Sequence, residues 1–455
     1  SPAVGDITGD GNLNIVALGF DGGIYAWNLD GSLVDGFPQQ SIGRDVSELT
    51  EYHTFDQGFL GAPALYDINN DGSLEIIASG LDARLYVLTG SGEHFENYPI
   101  ELCYPDECET ARARSINSPS VGDIDGDGKP EIAVATNEAV MNETRSVSYL
   151  IDALTGEYEE GWPLAVRGLV GEAVLLPLIG EGHPASLTIA DVDGDGDMEL
   201  TNAVMLGMNG PVHHDGSDFL DLSFVSADFP EEYGADIASL VQMSSQPIWA
   251  DLTGDGVPEY ITPAVSALYL AALASRKWVD YQQPVGAWDG ATGQMLDGWP
   301  RQIEDLTLLS GSAVADVSGD GNPEVVIGSA GYLIHAWDKD GTEAEGWPKF
   351  TGNWMIATPA IGDIDGDGYV DVVISTREGW LFAWSTEGRA DQKIEWASLF
   401  HDAQNTGNYE TKLPTQVGPV DEEEVPEDSG CCKDKSADSA WLILPLLFLG
   451  YRRRQ

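Results

Sequence analysis

Acidic residues recur at alternate positions of short glycine-containing loops, the arrangement in which carboxylates converge on one cation. The clearest loop contains Asp123, Asp125 and Asp127 and closes with Glu131. Calcium takes about six to eight oxygen ligands, and side chains at loop positions 1, 3 and 5 can meet where glycine lets the backbone turn sharply. Position 7 would supply only its backbone carbonyl, so Lys129 is compatible with a bound cation. The spacing predicts a calcium site.

Seven loops share the form D-x-[DNTS]-x-D-G-x-x-[DEN] and start 47 to 68 residues apart. We expect several calcium ions, up to one per repeat, because magnesium demands stricter octahedral geometry. The third, fourth and seventh loops carry four acids each and should bind most tightly; the first, which closes with asparagine, should be weakest. Plain Asp-Gly turns, which are favoured for backbone reasons alone, are the alternative. The predicted metal ligands are Asp6, Thr8, Asp10, Asn14, Asp67, Asn69, Asp71, Glu75, Asp123, Asp125, Asp127, Glu131, Asp191, Asp193, Asp195, Glu199, Asp251, Thr253, Asp255, Glu259, Asp316, Ser318, Asp320, Glu324, Asp363, Asp365, Asp367 and Asp371.

Short strands must position these loops. Each loop follows a short apolar run and precedes a β-branched run, and a third run often ends in an aromatic residue. Several units close on Gly-aromatic-Pro, as at 36–38, 161–163, 298–300 and 346–348, and proline suits an outer strand. Four strands per unit predict an all-β fold, a seven-bladed β-propeller of four-stranded blades with calcium-binding loops. A parallel β-helix is the alternative, although its coils are much shorter than these units.

Charge and composition exclude some classes of function. The chain has 76 acidic and 21 basic residues, a net charge of −55, which would repel a phosphate backbone, so we expect no nucleic-acid partner. The 53 glycines and 24 prolines indicate many turns and few long helices. Cys103 and Cys108 share one short loop, which leaves open either a local disulfide or two free thiols.

Two stretches depart from the repeat, 205–247 and 264–277. The second reads as a short inserted helix, and we expect both to form an exposed partner surface. His213 and His214 with nearby acids are not predicted to bind a metal, because adjacent residues on an extended segment point to opposite faces. No G-x-S-x-G, H-E-x-x-H or P-loop pattern occurs, and no catalytic residue is predicted.

The stretches S-P-S-V-G-D at 118–123 and T-P-A-I-G-D at 358–363, each running into an acidic loop, resemble the FG-GAP (VCBS-type) repeats of the integrin α-subunit propeller. The resemblance covers roughly residues 1–410 and implies one propeller domain there. That family includes adhesins, appendages of secreted proteases and a few polysaccharide lyases.

The C-terminal part changes in composition. Residues 396–409 look like the closing segment of such propellers, with 396–400 as the outer strand of the last unit. Residues 411–430 read as an acidic disordered linker. Residues 431–455, with Cys431 and Cys432, a short hydrophobic tail and three arginines, resemble a bacterial sorting tail of the MYXO-CTERM or GlyGly-CTERM type, processed at the cysteines; a simple tail anchor is the alternative. Because Ser1 lies inside a repeat, we expect a natural N-terminus and signal peptide upstream.

These observations predict a calcium-binding propeller that is secreted and held at the cell surface or outer membrane of a bacterium. It would act as an adhesion, ligand-binding or scaffolding module for a protein or glycan, and would contact the membrane only through its tail. The alternatives are a polysaccharide lyase on the same scaffold and an accessory propeller of a larger secreted hydrolase. A lyase needs basic groups to bind a uronate and abstract a proton, and these are scarce here.

Overall fold

The computed structural model describes residues 1–43, 57–105, 115–140, 145–167, 185–204, 207–208, 210–220, 242–266, 283–307 and 310–413. Their regular elements are β-strands, and the strands pair antiparallel. The predicted all-β class is therefore confirmed for these residues. None of them forms a helix long and apolar enough to cross a membrane.

Four sheets contain four strands joined in sequence order, as predicted for a repeated unit. The first sheet comprises β1 Ala3–Gly5, β2 Asn14–Leu18, β3 Gly23–Asn28 and β4 Gln39–Gln40. The second comprises β5 Ala64–Tyr66, β6 Glu75–Ser79, β7 Arg84–Leu88 and β8 Ile100–Glu101. The third comprises β9 Ser120–Gly122, β10 Glu131–Val140, β11 Arg145–Asp152 and β12 Leu164–Arg167. The sixth comprises β22 Ala313–Ala315, β23 Glu324–Gly328, β24 Leu333–Trp337 and β25 Lys349–Phe350.

The remaining units are less regular. The fourth has β13 Ile189–Ala190 paired with β14 Glu199–Leu200, and a hairpin of β15 Ala203–Val204 and β16 Gly207–Met208. The fifth has β17 Gln242–Ser244, β18 Ile248–Ala250, β19 Glu259–Ser266, β20 Pro284–Trp288 and β21 Arg301–Gln302, with β17 and β18 both paired to β19. The seventh has three strands, β26 Ala360–Gly362, β27 Tyr369–Ser375 and β28 Leu381–Arg389.

Consecutive sheets pack face to face, because side chains alternate between the two faces of a strand. In the second sheet, Ile76 and Tyr86 belong to a buried cluster shared with the first sheet. Ile77 and Val87, one residue further along, belong to a cluster shared with the third sheet. Further clusters join the third sheet to the fourth, the fourth to the fifth and sixth, and the sixth to the seventh. The core therefore lies between sheets.

Residues 395–409, named here the central segment, contact the first strands of the sheets one after another. Its backbone carbonyls accept hydrogen bonds from one backbone N–H in each of six first strands, at 2.6 to 3.0 Å. In chain order, the donor–acceptor pairs are Val314–Trp396, Ile361–Ala397, Val4–Ala403, Leu65–Gln404, Val121–Thr406 and Ile189–Gly407. In the fifth unit, the backbone N–H of Asp251 bonds the Glu395 carboxylate. The first strands therefore surround this segment.

Two local expectations were wrong. Residues 396–400 do not form the outer strand of the seventh sheet, because Trp396 bonds β22 and Ala397 bonds β26, both first strands. The predicted helix at 264–277 does not begin at Ala264, which lies in β19 and pairs with Ser244. Most of the two irregular stretches, Cys108, and the linker and tail beyond residue 413 lie outside the described residues. Cys103 is disulfide-bonded, so it is not a free thiol.

Candidate metal centres

All seven acidic loops connect the first and second strands of a unit. The residue before each loop pairs with the residue that closes it, in the same register every time. These pairs are Gly5–Asn14, Tyr66–Glu75, Gly122–Glu131, Ala190–Glu199, Ala250–Glu259, Ala315–Glu324 and Gly362–Asp371. The strands thereby hold the first and last predicted ligands at the base of each loop.

The first aspartate organises the loop backbone. In the fifth loop, the Asp251 carboxylate accepts hydrogen bonds from the backbone N–H groups of Gly254 and Gly256, at 2.7 and 2.9 Å. The first, sixth and seventh loops repeat both bonds. Asp and Gly are favoured in such turns because the side chain bonds its own backbone. Each loop therefore holds its shape through its own hydrogen bonds.

The closing residue has a second structural role that the spacing did not predict. One of its oxygens accepts a hydrogen bond from the backbone N–H of the second loop residue, at 2.6 to 3.2 Å in all seven units. Asn14 does this as well as a carboxylate. The second oxygen of each closing acid does not take part in this bond and is the more available metal ligand.

Burial makes the closing glutamates unusual. Glu75, Glu131, Glu199, Glu259 and Glu324 have at most 2% of their surface exposed. Burial, with a smaller contribution from neighbouring loop acids, raises the pKa of Glu131 to about 8 and of the other four to about 7. Nearby positive charge favours a buried carboxylate in its ionised form.

Four loops bring at least three ligand groups within 4.8 Å of one another. The third does so with Asp123, Asp125 and Asp127, and the fourth with Asp191, Asp193 and Asp195. The other two groups include the closing acid: Asp316, Asp320 and Glu324, and Asp363, Asp365 and Asp371. Glu131 and Asp367 do not join the groups of their loops. The first, second and fifth loops, which have a neutral residue at position 3, form no such group among the described residues.

The sixth loop contains two buried oxygens that lack a well-aligned hydrogen bond. Glu324 is fully buried, and its Oε2 accepts the backbone N–H of Val317 at 2.7 Å. Glu324 Oε1 and Ser318 Oγ, both predicted ligands, make no well-aligned hydrogen bond among the described residues, although Ser318 and Asp338 lie close enough to interact with Glu324. A buried oxygen without a partner costs about 1–3 kcal/mol, and more if charged. A cation among Asp316, Asp320 and Glu324 would remove that cost.

The sequence reasoning missed the residue that faces the closing acid from the third strand. Ser385 donates to Asp371 at 2.9 Å, and His213 Nδ1 lies 3.0 Å from Glu199 Oε1. In the third unit the facing residue is Asp152. In the sixth, the pair Val325–Trp337 puts Asp338 opposite Glu324. The strand register could have identified this residue. In the seventh and fourth units it lies 14 residues after the closing acid, and therefore outside the loop motif.

His213 and His214 lie closer to the fourth loop than expected. Asp193, Glu199 and His213 each place a ligand atom within 4.8 Å of the others, and His214 Nδ1 lies 2.9 Å from Asp197 Oδ2. Residues 213–216 form a turn rather than the expected extended segment, and of the two histidines only His213 joins the group. The fourth loop alone among the described ones therefore adds a nitrogen ligand.

A cavity of about 450 Å³ lies beside the central segment and contains none of the predicted site residues. Its lining includes Lys393, His401, Tyr409 and Glu410. Lys393 Nζ donates to the Tyr409 hydroxyl at 2.6 Å and lies 2.9 Å from Glu395. The ammonium group of Lys393 is therefore paired with groups of the protein itself.

A sequence model of the FG-GAP-like repeat matches residues 67–134 and 316–374. The chain carries FG-GAP-like repeats. Each matched stretch runs from one acidic loop to the second strand of the next unit, so it contains two of the loops described above. Together with the four-stranded sheets, these repeats support an FG-GAP β-propeller scaffold. No curated protein matches the chain.

Several solved structures are similar to this chain at low identity. The rhamnogalacturonan lyase YesW is 16% identical over 88% of this chain and 74% of its own, with a TM-score of 0.48. The Dos1 propeller is 13% identical over 85% and 78%, with a TM-score of 0.47. A europium-containing methanol dehydrogenase is 13% identical over 80% and 71%, with a TM-score of 0.49. Likeness at this level assigns no activity to this chain.

Proposed function

We propose that this chain is a calcium-binding β-propeller module whose seven units are blades around the central segment, with up to one ion per acidic loop. The observation that carries the proposal is the sixth loop, where two predicted ligand oxygens, Glu324 Oε1 and Ser318 Oγ, are buried without a well-aligned hydrogen bond beside Asp316 and Asp320. Native proteins rarely leave such groups unsatisfied.

The order of contacts along the central segment supports the arrangement of blades. Its carbonyls meet the first strands of units 6, 7, 1, 2, 3 and 4 in turn. At its two ends, Glu395 and Tyr409 bond each other next to Asp251 of the fifth unit. Contact of one short segment with six first strands and with Asp251 of the fifth unit, in cyclic order, supports an arrangement of the units around it.

The donor set favours calcium over softer metals. Six loops offer only oxygen ligands, and hard cations prefer carboxylate, hydroxyl and carbonyl oxygen. Calcium also tolerates irregular coordination better than magnesium does, which suits loops with three acids as well as loops with four.

We further propose that the module is secreted and displayed at a bacterial cell surface, where it binds a protein or glycan. This part rests on the sequence: the acidic composition, the resemblance to adhesin-type repeats, and the C-terminal tail. Binding of the purified protein to cells of its own species, measured with calcium and with chelator, tests it. Equal binding in both conditions would refute a calcium-dependent adhesin.

Thermal unfolding tests calcium binding directly. An ion that binds only the folded chain stabilises it by about 2.7 kcal/mol per site at a hundredfold excess over Kd. We expect a higher Tm in calcium than in chelator, and a smaller rise in magnesium. An unchanged Tm would refute the proposal.

A matched pair of variants in the sixth unit provides the control. Asp320→Asn removes a predicted ligand and should lower the bound calcium by one ion per chain. Asp340→Asn removes an acid of the same unit that bonds its own turn at Thr342, and should leave the count unchanged. Equal losses from both would show that bulk negative charge, not the loop, holds calcium.

A further inference from the structure

The boundary between the seventh and first sheets differs from every other boundary in the molecule. At the second loop position, an aliphatic side chain packs against the next sheet in six units, with 0 to 3% of its surface exposed. The six are Ile7, Ile68, Ile124, Val192, Leu252 and Val317. In the seventh unit the same position is Ile364, which is 64% exposed. No sheet covers it.

The third strands repeat this contrast. Ile24, Leu85 and Ile334 occupy one position that faces the next sheet, and each is fully buried. Their counterpart in β28 is Leu381, which is 48% exposed. Apolar side chains at an exposed sheet face usually mark a binding surface.

The first sheet shows the complementary opening. The eighth loop position packs against the preceding sheet in later units, where Met198 is 8% and Val370 1% exposed. In the first unit this position is Leu13, which is 50% exposed. Tyr25 and Trp27, stacked at 5.5 Å on the same side of β3, are only partly buried.

The spacing between successive contacts of the central segment also changes at this boundary. Its carbonyl contacts advance by one or two residues from one first strand to the next, except between Ala397 at the seventh unit and Ala403 at the first. There the chain folds into a turn, with the His401 N–H bonded to the Ser398 carbonyl. Among the described residues, no buried cluster contains side chains of both the seventh and the first sheet, and no backbone hydrogen bond joins the two.

We propose that the gap between the seventh and first sheets binds an eighth four-stranded antiparallel sheet of the same repeat type. The occupant follows from continuity with the established interfaces, because each of the other boundaries is formed by one antiparallel repeat unit stacked on the next, and four of the seven units are four-stranded. Such a sheet covers two exposed side chains. They are Ile364, at the second loop position of the seventh unit, and Leu13, at the eighth loop position of the first.

A fusion tests the proposal on the whole chain. Residues 311–357 are duplicated directly before Ser1, so that the copy leads into the first sheet as the sixth leads into the seventh. We expect a higher Tm than in the parent chain, and slower amide hydrogen exchange in both 14–28 and 369–385. The control fusion carries Val326→Asp in the copy alone, a change on the face that would meet the first sheet, and should lose both effects.

Two outcomes would overturn the proposal. In one, proteases remove the added copy readily and the Tm and exchange of the parent are unchanged. In the other, the parent chain sediments as a dimer in which Leu13→Lys or Leu381→Lys restores the monomer, which would make a second copy of this chain the occupant. A loss of calcium binding would instead concern the loops, which the fusion leaves intact.

Discussion

The sixth and seventh units are built from closely similar sequences but meet different surroundings. In the sixth, both faces of the sheet are covered, and Val317 and Ile334 are buried. In the seventh, the equivalent Ile364 and Leu381 are exposed. The comparison shows that the sequence of a repeat determines its own sheet and loop. The stability of that sheet depends on whether a neighbouring sheet buries its face.

The two units also differ inside the loop. The closing Asp371 of the seventh unit receives a hydrogen bond from Ser385, so both of its oxygens are satisfied. Glu324 of the sixth unit instead faces Asp338, a second acid in place of a hydroxyl, and burial raises the pKa of both groups. We therefore expect the sixth loop to depend more strongly on a cation, although the seventh has more acids.

The largest expected effect separates the covered face from the open one. Ile334→Ala leaves a cavity between two sheets and should cost about 2–5 kcal/mol of unfolding free energy. Leu381→Ala, the same change at the matching position, should cost less than about 1 kcal/mol, because its side chain is already half in water. Urea unfolding measures both. Similar costs would mean that the seventh sheet is covered in solution.

The next effect concerns His335, which joins the fifth and sixth units. Its Nδ1 lies 2.8 Å from Glu343 and its Nε2 3.0 Å from Glu304, at the end of the fifth unit. Burial alone would lower the pKa of His335, but the hydrogen bonds to the two glutamates outweigh it and raise the pKa to about 9. The seventh unit has Phe382 at this position.

Because the folded-state pKa lies above the unfolded value, this stabilisation is fully present below about pH 6.5 and is lost as pH rises through about 9. The raised pKa of His335 corresponds to about 3 kcal/mol of unfolding free energy. Unfolding free energies of wild type and His335→Phe should differ at pH 6 and converge near pH 10. A constant difference across that range would contradict the ion pairs.

The smallest effect tests the residue that faces the closing acid. Asp338→Ser should lower calcium affinity at the sixth loop about tenfold, and Ser385→Asp should raise it about tenfold at the seventh, because affinity follows ligand charge. Equilibrium dialysis at low free calcium counts bound ions per chain. If both swaps leave the count unchanged, the loop acids alone determine affinity.

Much of the fold could be predicted from local pattern. The repeated acid spacing located all seven loops, and the apolar runs beside them located the first and second strands, because a strand and a tight turn depend on neighbouring residues. The four-stranded sheets and the FG-GAP-like repeats follow from the same pattern. The calcium ligands remain predictions, since they rest on spacing and on buried oxygens rather than on a bound ion.

The parts that pattern missed depend on residues far apart in sequence. Residues 396–400 have the composition of a strand, but the partners available to them are the first strands around the centre, not the edge of the seventh sheet. Asp338 and His213 lie outside the loop motif and reach it only through strand register. The sequence by itself determined which segments become strands and acidic loops, because turn chemistry and side-chain alternation are local. Only the tertiary structure decided which sheet faces are covered and which acids face one another, because both depend on contacts between units.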